Sequence, residues 1–168
     1  MSFSTAIMTT GPDQTQEVGR VIGEQVQPGD IFLLTGPLGA GKTCLTQGIA
    51  SGLGVSGYVR SPTFVLTTRY HGRLTLYHMD LYRIGSPEEA WDLGLDEQLF
   101  GEGICIVEWA ERAAEIFPPE SWWTGLDHIG SGDQRSISFS DWPDRYRAVL
   151  EQLSTTFPVG KTSNQVDS

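Results

Sequence analysis

Gly36-Pro37-Leu38-Gly39-Ala40-Gly41-Lys42-Thr43 matches the pattern G-x-x-x-x-G-K-[ST] at every fixed position. Its surroundings match as well. The apolar run Ile31-Phe32-Leu33-Leu34 before it predicts a buried strand, and Lys42 to Leu53 after it predicts a helix. Small residues let the loop backbone curl so that several N–H groups converge on one anion. The helix that follows points the positive end of its dipole at the same place. Lys42 adds a mobile cation for the β- and γ-phosphates of a nucleotide, and the Thr43 hydroxyl is a hard oxygen ligand of the kind Mg2+ takes. A second Gly-Lys-Thr, at 160–162, serves as a control. Thr155 stands where such a loop needs its first glycine, and no apolar strand precedes it. The guanine-recognition pattern N-K-x-D is absent, because the single asparagine is Asn164, so adenine is the expected base.

Outward from the loop, the chain alternates strand and helix signals. Residues 13–26 carry Val18, Val21, Ile22 and Val26 at helical spacing, with Asp13 as the expected N-cap. Phe64 to Tyr70 and Leu74 to Met79 read as two strands joined at His71-Gly72. Pro87 to Leu93 predicts a short helix. Ile104-Cys105-Ile106-Val107 is the second fully apolar run and is placed beside the first in the sheet. Trp123 to Ile129 and Arg135 to Phe139 are expected strands around a Gly130–Asp133 turn, and Pro143 to Leu153 a last helix. Strands mixed with crossover helices predict an α/β sandwich. Residues 1–154 are expected to form one P-loop ATPase domain, and 155–168 a disordered polar tail.

Such a loop needs a carboxylate at the end of a neighbouring strand, to hold Mg2+ directly or through water. Glu108 follows the second apolar run, and Asp80 follows Leu74 to Met79. Asp is also a common strand-end turn residue, so Asp80 is the weaker candidate. Ser61-Pro62-Thr63-Phe64 lies where P-loop switch segments lie. Thr63 there either reaches Mg2+ or the γ-phosphate, or belongs to a plain Ser-Pro turn. On an extended strand, His78, Asp80 and Tyr82 would share one face.

The chain has 168 residues and a net charge of −10. Residues 1–79 hold five basic and four acidic side chains, and residues 80–168 six basic and seventeen acidic. That balance argues against the chain holding RNA or DNA by itself, since phosphate contacts need a dense basic surface. No apolar window reaches the ~18 residues of a membrane span. The start lacks a basic secretory n-region, so a cytoplasmic protein is expected. Cys44 and Cys105 read as a pair of buried thiols, not a disulfide framework.

Taken together, the loop, Ser61-Pro62-Thr63-Phe64, His78-Met79-Asp80-Leu81-Tyr82-Arg83 and Val107-Glu108-Trp109 resemble, in order and spacing, the TsaE (YjeE) ATPases, over about residues 10–120. The resemblance implies a small P-loop ATPase of three-layer, P-loop NTPase-like α/β fold with a mixed sheet flanked by helices, and with ATP and Mg2+ as cofactors. It implies work with the TsaB and TsaD proteins in forming the threonylcarbamoyl modification on the tRNA adenosine next to the anticodon, with tRNA touched only through that complex and no membrane involved. It implies Gly39, Ala40, Gly41 and Lys42 at the phosphates with Cys44 in the same turn, Thr43 and Glu108 at Mg2+, and Thr63 and Asp80 at the nucleotide. Lys42, Asp80 and Glu108 form the expected catalytic set. His78, Tyr82 and Arg83 would hold their strand and a partner-facing surface. Intrinsic activity would be low and stimulated by the partners. Pro37 departs from the family's usual acidic residue and Cys44 from its usual Thr; Pro37 removes one possible loop N–H. The alternative from the loop alone is a small-molecule kinase. Only Arg112 is basic between Arg83 and Arg135, which leaves little from which to build an arginine-rich lid.

Overall fold

The computed structural model describes residues 2–61, 67–92, 94, 99, 101–118 and 121–159. Seven strands form one mixed sheet: β1 (Ser2–Thr9), β2 (Ile31–Thr35), β3 (Thr67–His71), β4 (Thr75–Asp80), β5 (Ile104–Glu108), β6 (Trp122–His128) and β7 (Arg135–Pro143), in the order β1-β7-β6-β2-β5-β4-β3. The helices are α1 (Pro12–Gly23), α2 (Lys42–Gly52), α3 (Pro87–Asp92) and α4 (Arg147–Thr156), with 3-10 segments at Ala110–Ile116 and Asp144–Tyr146. The central strand β2 runs parallel to β5 and β6, and β4 parallel to β5. The β1–β7, β6–β7 and β3–β4 pairs are antiparallel.

The two apolar runs lie side by side, as their composition requires, because both are covered on both faces. Phe32, Leu34, Ile104 and Ile106 face a core shared with α1, α2 and α4. Ile31, Leu33, Cys105 and Val107 face a second core shared with α3 and the 110–116 segment. The result is the expected three-layer arrangement.

Four glycines, Gly19 and Gly23 on α1 and Gly48 and Gly52 on α2, set how closely the two helices approach. A Cβ on Gly48 would lie 2.1 Å from the Gln16 carbonyl oxygen, and one on Gly19 would lie 2.4 Å from that of Leu45. This packing holds the start of α2, and so the end of the glycine loop, against α1. The entry to β2 is pinned by Asp30, which is buried and accepts hydrogen bonds from Gln27 N at 2.9 Å, from Tyr146 Oη and from the Arg145 guanidinium. The Arg145 charge also stacks on the Tyr146 ring, 4.5 Å from its centroid.

Several expectations change. The α1 N-cap is Gly11, with Pro12 at the first helical position and Asp13 inside the first turn; a proline whose ring pre-sets φ takes that place readily. Ser2–Thr9 forms an edge strand that the sequence reading passed over, paired with β7 across a bulge between Phe3 and Thr5. Ordered chain also continues past the expected boundary at 154. The helix α4 runs to Thr156, Phe157 is buried, Pro158 O accepts from Met8 N at 2.8 Å, and Val159 bridges Ile7. Burial of Phe157 and the free edge of β1 supply the reason. Residues 160–168, and Thr63 with the rest of 62–66, lie outside the described residues.

Gly48→Ala should cost about 1–3 kcal/mol, since neither backbone can yield without separating the helices. Gly132→Ala, where a Cβ meets nothing within 4 Å, should stay within about 0.5 kcal/mol. Thermal denaturation of both variants checks the contrast.

Candidate functional site

At the C-terminal ends of β2, β4 and β5 lies a cleft of about 430 Å³. That is where open α/β sheets place ligands. The glycine loop forms one wall. Gly36 has φ +141°, and a Cβ there would lie 2.1 Å from the Leu126 carbonyl oxygen, so the loop can leave β2 this close to β6 only with glycine. Gly41, at φ +107°, is the N-cap of α2. The first N–H groups of that helix have no intrahelical partner, an arrangement that favours an anion.

Lys42 is buried. Its ammonium donates to the carbonyl oxygens of Gly36 and Pro37, the latter at 3.0 Å, and sits 3.9 Å from the Trp109 ring centroid. Burial pushes it below the ordinary lysine value, against the opposing pull of Glu108, Glu111 and Asp80. The carbonyls and the indole face therefore hold the cation.

Thr43 Oγ1 donates to Glu108, 2.9 Å from Oε1 and 3.2 Å from Oε2. With its one proton spent there, the hydroxyl keeps its lone pairs for a hard cation. His78 Nε2 meets Glu108 Oε2 from the other side. Asp80 stands opposite Glu108 in the parallel β4–β5 register. It accepts from Ser61 Oγ at 2.7 Å and from Tyr82 N at 2.8 Å. Among the described residues no three His, Cys, Asp or Glu side chains gather to hold a metal. A hydroxyl with one or two carboxylates instead suits Mg2+, which keeps waters and substrate phosphates in its shell.

The structure brings together Gly39, Ala40, Gly41, Lys42, Thr43, Cys44, Asp80 and Glu108 as lining of this cleft. Some placements differ from expectation. Tyr82 lies beyond the end of β4 and does not share the strand face of His78 and Asp80; it stacks on Trp109 at 4.8 Å between centroids. Cys44 is half-buried at the cleft, not in the core, with Sγ 3.6 Å from Pro12 O; Cys105 is buried, and both are free thiols.

Other members of the site carry no motif. Arg135 Nη2 donates to Gly39 O at 3.1 Å, and His128 Nε2 lies 3.2 Å from Leu38 O, so the β6–β7 hairpin clasps the loop from outside. Gly11, Pro12 and Thr15 of α1 and Asp133 of the hairpin complete the lining. Trp109 holds its ring under Lys42 by taking φ +58°, a costly conformation for a bulky residue. The dipeptide Glu108-Trp109 was the one sequence signal for it.

A strand, a glycine loop with its lysine and threonine, a helix, and a carboxylate at the tip of the adjacent parallel strand define a P-loop nucleotide-binding protein. Residues 9–137 match the family described as Threonylcarbamoyl adenosine biosynthesis protein TsaE, and the chain belongs to that family. Similar proteins named tRNA threonylcarbamoyladenosine biosynthesis protein TsaE occur in Bacillus subtilis (42% identical over 147 residues, 87% of this chain and 91% of the relative) and Treponema pallidum (43% over 120 residues, 71% and 89%). The crystal structure of YdiB from Bacillus subtilis superposes with a TM-score of 0.76 at 37% identity, covering 93% of this chain and 97% of that one.

Burial raises the Cys44 thiol above its ordinary pKa, aided by the charge of Asp13, and pushes Cys105 up to about 12. A raised pKa leaves less thiolate at a given pH. At pH 8, Cys44 should therefore alkylate more slowly than free glutathione and Cys105 not at all in the native protein. Added nucleotide should slow Cys44 further, as read by mass spectrometry of iodoacetamide-treated samples.

Proposed function

We propose that the chain binds ATP with Mg2+ in this cleft and hydrolyses it in support of tRNA threonylcarbamoyladenosine formation, as a subunit acting with TsaB and TsaD. The Thr43–Glu108 hydrogen bond carries the reading, because it couples the last residue of the glycine loop to the acid of the neighbouring strand. Family membership supports the pathway, and the loop supports the nucleotide.

In this reading the N–H groups of Gly39, Ala40 and Gly41 bind phosphate oxygens, and Cys44 stands in the same helical turn. Lys42 exchanges the carbonyls of Gly36 and Pro37 for the β- and γ-phosphates. Thr43 and Glu108 hold Mg2+, which when bound offsets charge on those phosphates. Asp80, oriented by Ser61 and by the Tyr82 N–H, lies on the same side and orients water or metal ligands. Thr63, in the switch-like segment, would reach Mg2+ or the γ-phosphate. The adenine preference rests on the missing N-K-x-D pattern. Among the described residues no helix is long and apolar enough to cross a membrane, and we place the protein in the cytoplasm. The tRNA is held by the partner proteins, since the chain's surplus of carboxylates repels it. The acidic side faces away from the tRNA, and the side carrying Arg60 and Arg69 lies nearer the complex.

ATP hydrolysis measured alone, with TsaB and TsaD, and with both plus tRNA tests the proposal. Turnover should be slow alone and rise with the partners. Phosphate appearing on a metabolite, not in water, would indicate the kinase alternative. Lys42→Ala should lower turnover by about 10²-fold or more, the scale of losing one preorganised charge donor; unchanged turnover would sink the loop assignment.

A further inference from the structure

Glu108 is gripped from two sides. Thr43 approaches it from α2, and His78 reaches it from β4 along a two-residue diagonal, since His78 pairs with Ile106 in the strand register. The His78 and Glu108 side chains are 0% and 3% exposed. A carboxylate only accepts, so the ring nitrogen that faces it carries the proton. The other ring nitrogen, Nδ1, has no hydrogen-bond partner among the described residues. An apolar side chain would fill this space without the unmet Nδ1, but it would take from the buried Glu108 carboxylate its partner on β4. Among the described residues the contact with Glu108 is the one polar contact of the imidazole.

We propose that His78 is a positioning residue: its Nε2–H fixes the rotamer of Glu108 so that the carboxylate meets Thr43 and is presented to Mg2+. This rests on the reading that Glu108 serves the metal. Groups that hold a ligating carboxylate in this way typically contribute 10- to 100-fold to metal affinity or activity.

The probe is Mg2+ itself, titrated against a fluorescent ADP analogue bound to the full chain, with affinity in EDTA measured alongside. Three variants are compared. His78→Gln carries an amide N–H that reaches Glu108, His78→Asn carries one that falls short, and Glu108→Gln is the control. His78→Asn should raise the Mg2+ midpoint about tenfold while leaving the EDTA affinity within about twofold, and His78→Gln should recover most of the loss. Equal shifts in the two His78 variants, no shift in either, or a loss shared with EDTA would overturn the proposal. If His78→Asn does not fold, His78→Gln alone decides: a midpoint near wild type supports the role, and a shift as large as that of Glu108→Gln refutes it. A Glu108→Gln protein with an unchanged midpoint would remove the metal assignment itself, a result distinct from failure of His78 alone.

Discussion

A carboxylate 2% exposed to solvent has to be paid for by its neighbours, and Glu108 is such a group. Its partners come from two other elements, Thr43 at the start of α2 and His78 on β4. The demand of one buried charge thus ties together the glycine loop, the central strand pair and the outer strand. A shift of one residue in the β4–β5 register would carry His78 and Asp80 to the opposite sheet face and leave Glu108 with Thr43 alone.

Everything around that contact serves to hold the loop still. Backbone-to-backbone packing at Gly19 and Gly48 sets the start of α2. Asp30, with Arg145 and Tyr146, sets the start of β2 from the far end of the chain. The hairpin residues His128 and Arg135 hold the carbonyls of Leu38 and Gly39. The charged element of the loop, the Lys42 ammonium, rests on the carbonyls of Gly36 and Pro37 and on the Trp109 indole face.

Several arginines are engaged by other groups of the chain, in partly buried hydrogen bonds at Arg145 and Arg73 and an exposed one at Arg147. Arg145 pairs with Asp30, Arg147 with Asp144, and Arg73 donates to the carbonyls of Gly23 and Val26. Each of the two ion pairs removes one charge of each sign, so the net charge of −10 stands unchanged by them.

The glycine loop, the two apolar runs and the acid after the second run were legible because each is a local pattern with a single physical cause. Continuous apolar runs are strands covered on both faces, and a Gly-Lys-Thr turn at a helix start binds phosphate. From these the α/β class, the adjacency of β2 and β5, and the gathering of Lys42, Thr43 and Glu108 at one cleft could be read. The edge strand Ser2–Thr9 could not, because its Ser/Thr-rich composition becomes a strand only by pairing with β7. The order of Phe157 to Val159 likewise depends on a contact with residues 150 positions away, at Met8 and Ile7. The joining of His78 to Glu108, of Ser61 to Asp80 and of Arg135 to Gly39 was decided by tertiary structure alone. A hydrogen bond depends on where two side chains meet in space, and sheet register and strand order set that meeting.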